Sequence, residues 1–138
     1  MRFSLTGIVL ALAAVASAED SINCWGKATH PPENEVHNAI ATMRYAIDHP
    51  VTGPNGVIKP SIRADKRSCA SVWCYQKTSI RYCNDSEQPR TMGLREIADG
   101  CQAIVNKCHT VFHDIVVAGG VIDHSDHWSV VIQTDDEC

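Results

Sequence analysis

Apolar residues recur along this chain with two periods. Val36, Ile40, Met43 and Ile47 fall at i, i+4, i+7 and i+11, the stripe of a helix that buries one face. Glu33 and Glu35 stand in its first turn, where the helix dipole favours negative charge, and Pro50 stops it. The spacing predicts a helix from Glu33 to Asp48. A second stripe is longer: Leu94, Ile97, Cys101, Ile104, Val105 and Cys108 share one face, while Arg95, Glu96, Asp99, Gln102 and Lys107 take the other. This predicts an amphipathic helix from Gly93 to Cys108.

Elsewhere the period shortens toward two. Ser71–Gln76 is rich in Val, Trp and Tyr, and Ser79–Cys83 alternates Ile80 and Tyr82 with Arg81 and Cys83. The two runs predict a hairpin around Lys77-Thr78. Thr110 to Ala118 predicts one strand, turned by Gly119-Gly120 into Val121-Ile122. Trp128 to Thr134 predicts the last strand. Residues 19–32 predict an extended lead ending in Pro31-Pro32. Residues 49–68 predict a long connection, with a turn at Gly53-Pro54-Asn55-Gly56 and a short edge strand at Val57–Ile62, its pairing limited by Pro60. Asn84 to Met92 predicts a polar loop. Short turns make the strands antiparallel, and each helix must lay its apolar face on them. The expected fold class is α+β: a two-layer sandwich of two helices on an antiparallel sheet, with no internal repeat.

The N-terminus changes the picture. Met1-Arg2 precedes an apolar run from Phe3 to Ala16, followed by Ala16-Ser17-Ala18. This predicts a secretory signal peptide over residues 1–18. The run is shorter than the ~20 residues a membrane span needs. One secreted domain, residues 19–138, is expected to remain. Its charge falls from −4 to −5 with the loss of Arg2. An acidic surface of this kind argues against nucleic acid and anionic membranes as partners. No stable membrane insertion is expected.

All seven cysteines follow the predicted cleavage point: Cys24, Cys69, Cys74, Cys83, Cys101, Cys108 and Cys138. In an oxidising compartment they predict three bridges and one unpaired thiol, the pairing open. The odd cysteine leaves a disulfide-linked dimer open. Cys101 and Cys108 lie two turns apart on one helix face, too far to bond each other. Each is therefore expected to staple that helix to something else: to the strands carrying Cys74 and Cys83, or to the ends carrying Cys24 and Cys138. No Cys-x-x-Cys pair supports a zinc knuckle. Lys66-Arg67 is a dibasic pair in a predicted linker. Cleavage there would leave a six-cysteine unit with Cys24 as the odd residue. Asn84-Asp85-Ser86 is an N-glycosylation acceptor, which predicts an exposed loop and a glycan at Asn84.

Candidate chemistry is sparse. Asp123-His124-Ser125-Asp126-His127 offers imidazoles and carboxylates to a divalent ion, although a polar loop has the same composition. His109 and His113, four apart on a predicted strand, could supply acid and base to a nuclease with Arg81 beside them. The acidic charge opposes an RNA substrate. No nucleophile elbow, zincin helix or phosphate loop is present, and Asp135-Asp136-Glu137 reads as a solvated tail. No catalytic residue, metal or cofactor is expected. Trp25, Trp73, Tyr75 and Trp128 are candidate contact aromatics. Residues 49–68 and Asn84–Met92 are the candidate contact loops.

Ile22-Asn23-Cys24-Trp25-Gly26 near the mature start, Trp128-Ser129-Val130-Val131-Ile132 near the end, and the terminal Cys138 resemble the small killer-toxin family of smut fungi and its relatives among fungal effectors. An amphipathic helix ending in a cysteine, here Cys108, is similar in kind. The family usually has Cys-Gly near that helix end, where this chain has Cys108-His109. The resemblance implies an α/β-sandwich that works by binding. The function expected is that of a secreted, extracellular fungal effector, or virulence protein, that binds a host target and could later enter host cells. A killer-toxin-like antimicrobial protein acting on a competitor, through a membrane channel for instance, is the alternative. A secreted hydrolase or ribonuclease is the second.

Overall fold

A computed structural model describes residues 20–24 and 30–138 of the chain. The predicted signal peptide, Trp25 and Gly26 lie outside the described residues. Five strands build the central sheet: β1 (Ser21–Asn23), β5 (Ser68–Tyr75), β6 (Thr78–Asn84), β10 (Gly120–His124) and β11 (Trp128–Thr134). Their order is β1-β10-β11-β6-β5 and every pairing is antiparallel. The two helices are α1 (Glu33–Ala46) and α2 (Leu94–Cys108). The chain is thus α+β, with a mainly antiparallel strand content and three disulfides.

The helices follow their stripes. On α2 the residues Leu94, Ile97, Cys101, Ile104, Val105 and Cys108 are buried, as the period demands. They pack on β10 and β11, and α1 packs against α2. Ile97 and Ile104 are wholly buried, each stabilising the fold by roughly 1.5–3 kcal/mol. Gly100 makes the close approach: a Cβ there would stand 3.1 Å from Val130 Cγ2. On α1 the buried stripe is Val36, Ala39, Ile40, Met43 and Ala46. The helix ends two residues before the predicted Asp48.

The predicted hairpin forms as β5–β6, its turn one residue earlier than expected. Gln76 and Lys77 both adopt positive φ (47° and 62°), the pairing that matches hairpin twist. β10, β11 and β6 are the interior strands, and Tyr82 and Ile80 on β6 and Val130 and Ile132 on β11 are wholly buried.

Three two-stranded ribbons flank the sheet. β2 (Val51–Gly53) pairs with β3 (Gly56–Ile58) around the predicted Pro54-Asn55 turn. β4 (Ser61–Ala64) pairs with β7 (Arg90–Gly93). Residues 49–68 are therefore more ordered than a long connection, and Val57–Ile62 is split at Pro60 into two strands with different partners. The region Asn84–Met92 likewise ends in strand. β8 (His109–Phe112) pairs with β9 (Ile115–Ala118). Here the expectation of one strand from Thr110 to Ala118 is corrected. The chain reverses at His113-Asp114, both at positive φ (48° and 63°). Gly119-Gly120 is not a hairpin turn, because β9 and β10 belong to different sheets.

Bridges join Cys24 to Cys108, Cys69 to Cys83 and Cys74 to Cys138. Cys108 does tie α2 to an end of the chain. Cys101, expected to staple the same helix, is instead the unpaired cysteine, buried in the hydrophobic core. The other six cysteines are bridged to one another, so packing in the core takes the place of a bond at Cys101. Cys24 belongs to a bridge, so residues 68–138 do not form the self-contained six-cysteine unit expected from a cut after Arg67.

Candidate binding surface

Among the described residues, the β8–β9 ribbon gathers most of the exposed large apolar side chains. Val111 is 67% exposed, Ile115 54%, Val116 44% and Phe112 41%. The register sets Val111 opposite Val116 and Phe112 opposite Ile115. Directly paired residues point to the same side and successive pairs to opposite sides. Both faces of the ribbon are therefore apolar, unlike a hairpin that rests one face on a core. Contiguous exposed apolar surface of this kind marks interaction sites.

The ribbon is held at its base. Cys108 ends α2 immediately before β8 and is bridged to Cys24. His109 Nδ1 lies 3.0 Å from the Val105 carbonyl in the last turn of α2. The Ala118 N–H donates to the Pro31 carbonyl at 2.9 Å, and Pro32 bridges Val117. Val117 and Ala118 are buried, so the strand is apolar-in at its root and apolar-out toward its tip.

Histidines surround the tip. Phe112 stacks on His30 with ring centroids 4.1 Å apart and meets His113 edge-on at 4.2 Å. On one side Glu33, His37, Asp114, Ile115 and Val116 line a cavity of about 440 Å³, and the Glu33 carboxylate pairs with His37 at 3.4 Å. On another, His30 adjoins Asp135, Asp136 and Glu137 around a cavity of about 510 Å³.

The residues singled out from sequence are placed as follows. Asn84 is wholly buried. Its Nδ2 donates toward the carbonyls of Gln88 (2.7 Å), Asp65 (3.1 Å) and Ala64 (3.3 Å). Ser86 donates to Asn84 Oδ1 through both N–H (3.1 Å) and Oγ (2.7 Å). The expectation of an exposed acceptor is corrected: a glycan would have to replace one of the two amide hydrogens that hold this turn, on a side chain with no exposed surface. Lys66 and Arg67 are exposed, but they sit in the tight β4–β5 turn, with Arg67 at φ 48° and ion-paired to Glu87. Cys101 has no exposed surface, and burial pushes its thiol up to about 12. An intermolecular bridge through it would require opening the core around α2.

The Asp123–His127 segment spans the end of β10 and the turn into β11. His124 stacks on Trp128 at 3.6 Å and lies 3.9 Å from Asp20. Arg90 donates to Asp126 Oδ2 at 2.7 Å and to its carbonyl at 2.6 Å. That guanidinium holds the Asp126 carboxyl below the usual range. Among the described residues no group of three or more His, Cys, Asp or Glu is placed to hold a metal ion. His109 and His113 lie at opposite ends of β8, one at the helix exit and one in the turn. Arg81 is paired to Asp135 at 3.5 Å on the main sheet. Trp73 and Trp128 are core residues, while Tyr75 is exposed. Among the described residues no helix is long and apolar enough to cross a membrane.

Sequence reasoning missed Val111, Phe112, Ile115 and Val116. The signal was present: from Val111 to Val117 only His113-Asp114 breaks an apolar run, with no alternation on either side. No protein-family model matches the chain, no curated protein is similar to it, and no solved structure matches it.

Proposed function

We propose that this chain is a secreted fungal effector that acts by binding a host protein, with the β8–β9 ribbon as its contact surface. The observation that carries the reading is the exposure of Val111, Phe112, Ile115 and Val116 on both faces of a ribbon whose root is fixed. Keeping that much apolar surface in water favours association. A ribbon apolar on both faces suits a cleft or a strand-receiving partner better than a flat surface. In the same reading, α1 and α2 form one layer and the five-stranded sheet the other. The bridges keep the module intact where proteases are abundant. The killer-toxin resemblance of the two chain ends agrees with a binding role.

The test compares purified mature protein with a variant carrying Val111→Thr, Phe112→Ser, Ile115→Thr and Val116→Thr. These positions are exposed, so the variant is expected to fold, which circular dichroism checks. It should lose its effect on host tissue and its cross-linking to host proteins. Undiminished effect in the variant sinks the reading. Growth inhibition of fungi by micromolar protein would move the assignment to the toxin alternative.

A further inference from the structure

Among the described residues the ribbon has an unpaired strand edge and an acidic neighbourhood, and together they define what it can receive. A two-residue hairpin turn is closed by a hydrogen-bonded pair, here Phe112 and Ile115. Pairing then alternates, so Val111 and Val116 form a non-hydrogen-bonded pair and their N–H and C=O groups point outward. On β9 the outward side is occupied at the root, where Ala118 donates to Pro31 and Val117 bridges Pro32. On β8, among the described residues, strand pairing is with β9 alone. The segment His109–Phe112 contains no proline, lysine or bulge, the features that usually blunt an edge.

Charge selects among the occupants such an edge could accept. Asp114 and Glu33 lie beside Ile115 and Val116. Asp135, Asp136 and Glu137 lie beside His30, which stacks on Phe112. No lysine or arginine lines either cavity. Glu33 is paired to His37 and Asp135 to Arg81, whereas Asp114, Asp136 and Glu137 have no ion-pair partner among the described residues. Two copies of the chain would bring these carboxylates together, which opposes self-association. An anionic lipid surface would be repelled for the same reason.

We propose that the outer edge of β8 takes up an extended, cationic segment of a partner protein as an added strand. Its backbone meets the outward N–H and C=O of Val111. Its apolar side chains meet Val111 and Phe112, and its lysines and arginines meet Asp114, Asp136 and Glu137. This deepens the binding reading above and rests on it.

The experiment titrates the isotope-labelled mature protein, followed by NMR, with a short peptide of alternating valine and lysine. A twin peptide carries glutamate for lysine. The lysine peptide should shift the amides of His109–Phe112 and bind more weakly as salt is raised. Asp114→Asn with Asp136→Asn and Glu137→Gln should weaken it roughly fivefold. Asn tolerates the left-handed backbone of position 114, so this variant keeps the turn. Val111→Pro removes no ladder bond and should abolish binding with the fold intact.

Equal binding of the glutamate twin, shifts confined to other elements, or tighter binding to phosphatidylcholine or phosphatidylserine vesicles overturns the inference. If the lysine peptide fails while the four-residue ribbon variant still loses its host effect, the cationic strand is wrong and the binding reading stands. If that variant keeps its host effect, the binding reading itself falls.

Discussion

Cys24 is bonded to Cys108 across 84 residues, and Cys108 is the last residue of α2 before the exposed ribbon begins. The bridge thus fixes the root of β8 to the end of β1. In the chain-entropy account, closing so long a loop restricts the unfolded state by about 4–5 kcal/mol, against about 3 kcal/mol for the 14-residue separation of Cys69 and Cys83. Replacing Cys24 and Cys108 together by serine should therefore lower stability more than the same change at Cys69 and Cys83. The latter two already face each other in the β5–β6 ladder. Urea unfolding of the two double variants measures the difference, and the reverse order would refute the argument.

Asn84 holds the β6–β7 connection from inside. The two hydrogens of its Nδ2 are shared among three carbonyls, and its Oδ1 accepts two bonds from Ser86. Asn84→Ala leaves several of these groups buried without partners, each at about 1–3 kcal/mol. A loss of about 3 kcal/mol or more is expected. The folded protein, produced in a glycosylating host, should also carry no glycan at Asn84. Intact mass before and after glycosidase treatment decides this, and a glycan on a protein with native disulfides would contradict the geometry.

What was legible in the sequence depended on whether one face of an element is buried. Leu94–Cys108 and Trp128–Thr134 match their predicted limits closely, because burial on one side imposes a clean period. The Glu33 helix follows for the same reason, whereas β6, buried at every position but Arg81, was legible from the β-branched and aromatic residues of the β5–β6 pair. The ribbon was not legible as two strands: His113-Asp114 takes up positive φ without the glycine or asparagine that usually announces it. A ribbon exposed on both faces also has no alternation to reveal it. Asn84 shows the opposite failure, since a polar residue in a polar stretch reads as surface until its partners are known. Cys101 could not be told from Cys108, because both lie on one buried face and only the fold places a second thiol beside the latter.

Burial of Cys101 has a pH consequence. With its thiol pushed up to about 12 in the folded protein and near 8.5 in an unfolded chain, the folded state holds a proton that the unfolded state releases. Stability from this group is complete below about 8.5 and falls as pH rises toward the folded value, by up to about 1.4 kcal/mol per pH unit. Tyr82, whose hydroxyl is also raised by burial, adds a slope of the same sign at higher pH. Cys101→Ala should flatten the first part of this decline. The native thiol should react with iodoacetamide only after unfolding. Rapid labelling of folded protein, or an unchanged alkaline slope in the alanine variant, would show that Cys101 is not sealed in the core.

Gly120 marks where three parts of the chain meet without room for a side chain. It opens β10 with φ of 157°, and a Cβ there would stand 2.5 Å from the Asn23 carbonyl oxygen and 3.1 Å from Cys108 Sγ. The first contact is backbone of β1 and the second is the bridge itself, so neither neighbour can turn aside. Gly120→Ala is therefore expected to cost about 1–3 kcal/mol, through loss of the β1–β10 pairing that seats Cys24. Gly100→Ala is the contrasting case. Its new methyl would meet only side chains, Val130 at 3.1 Å and Ile122 at 3.4 Å, which must give by roughly a few tenths of an ångström, while the helix interior gains up to about 1 kcal/mol from replacing glycine. Thermal or urea midpoints should place Gly120→Ala well below Gly100→Ala. Equal midpoints would mean that β1 can move away from β10 freely, and that the root of the ribbon is held by the proline contacts alone.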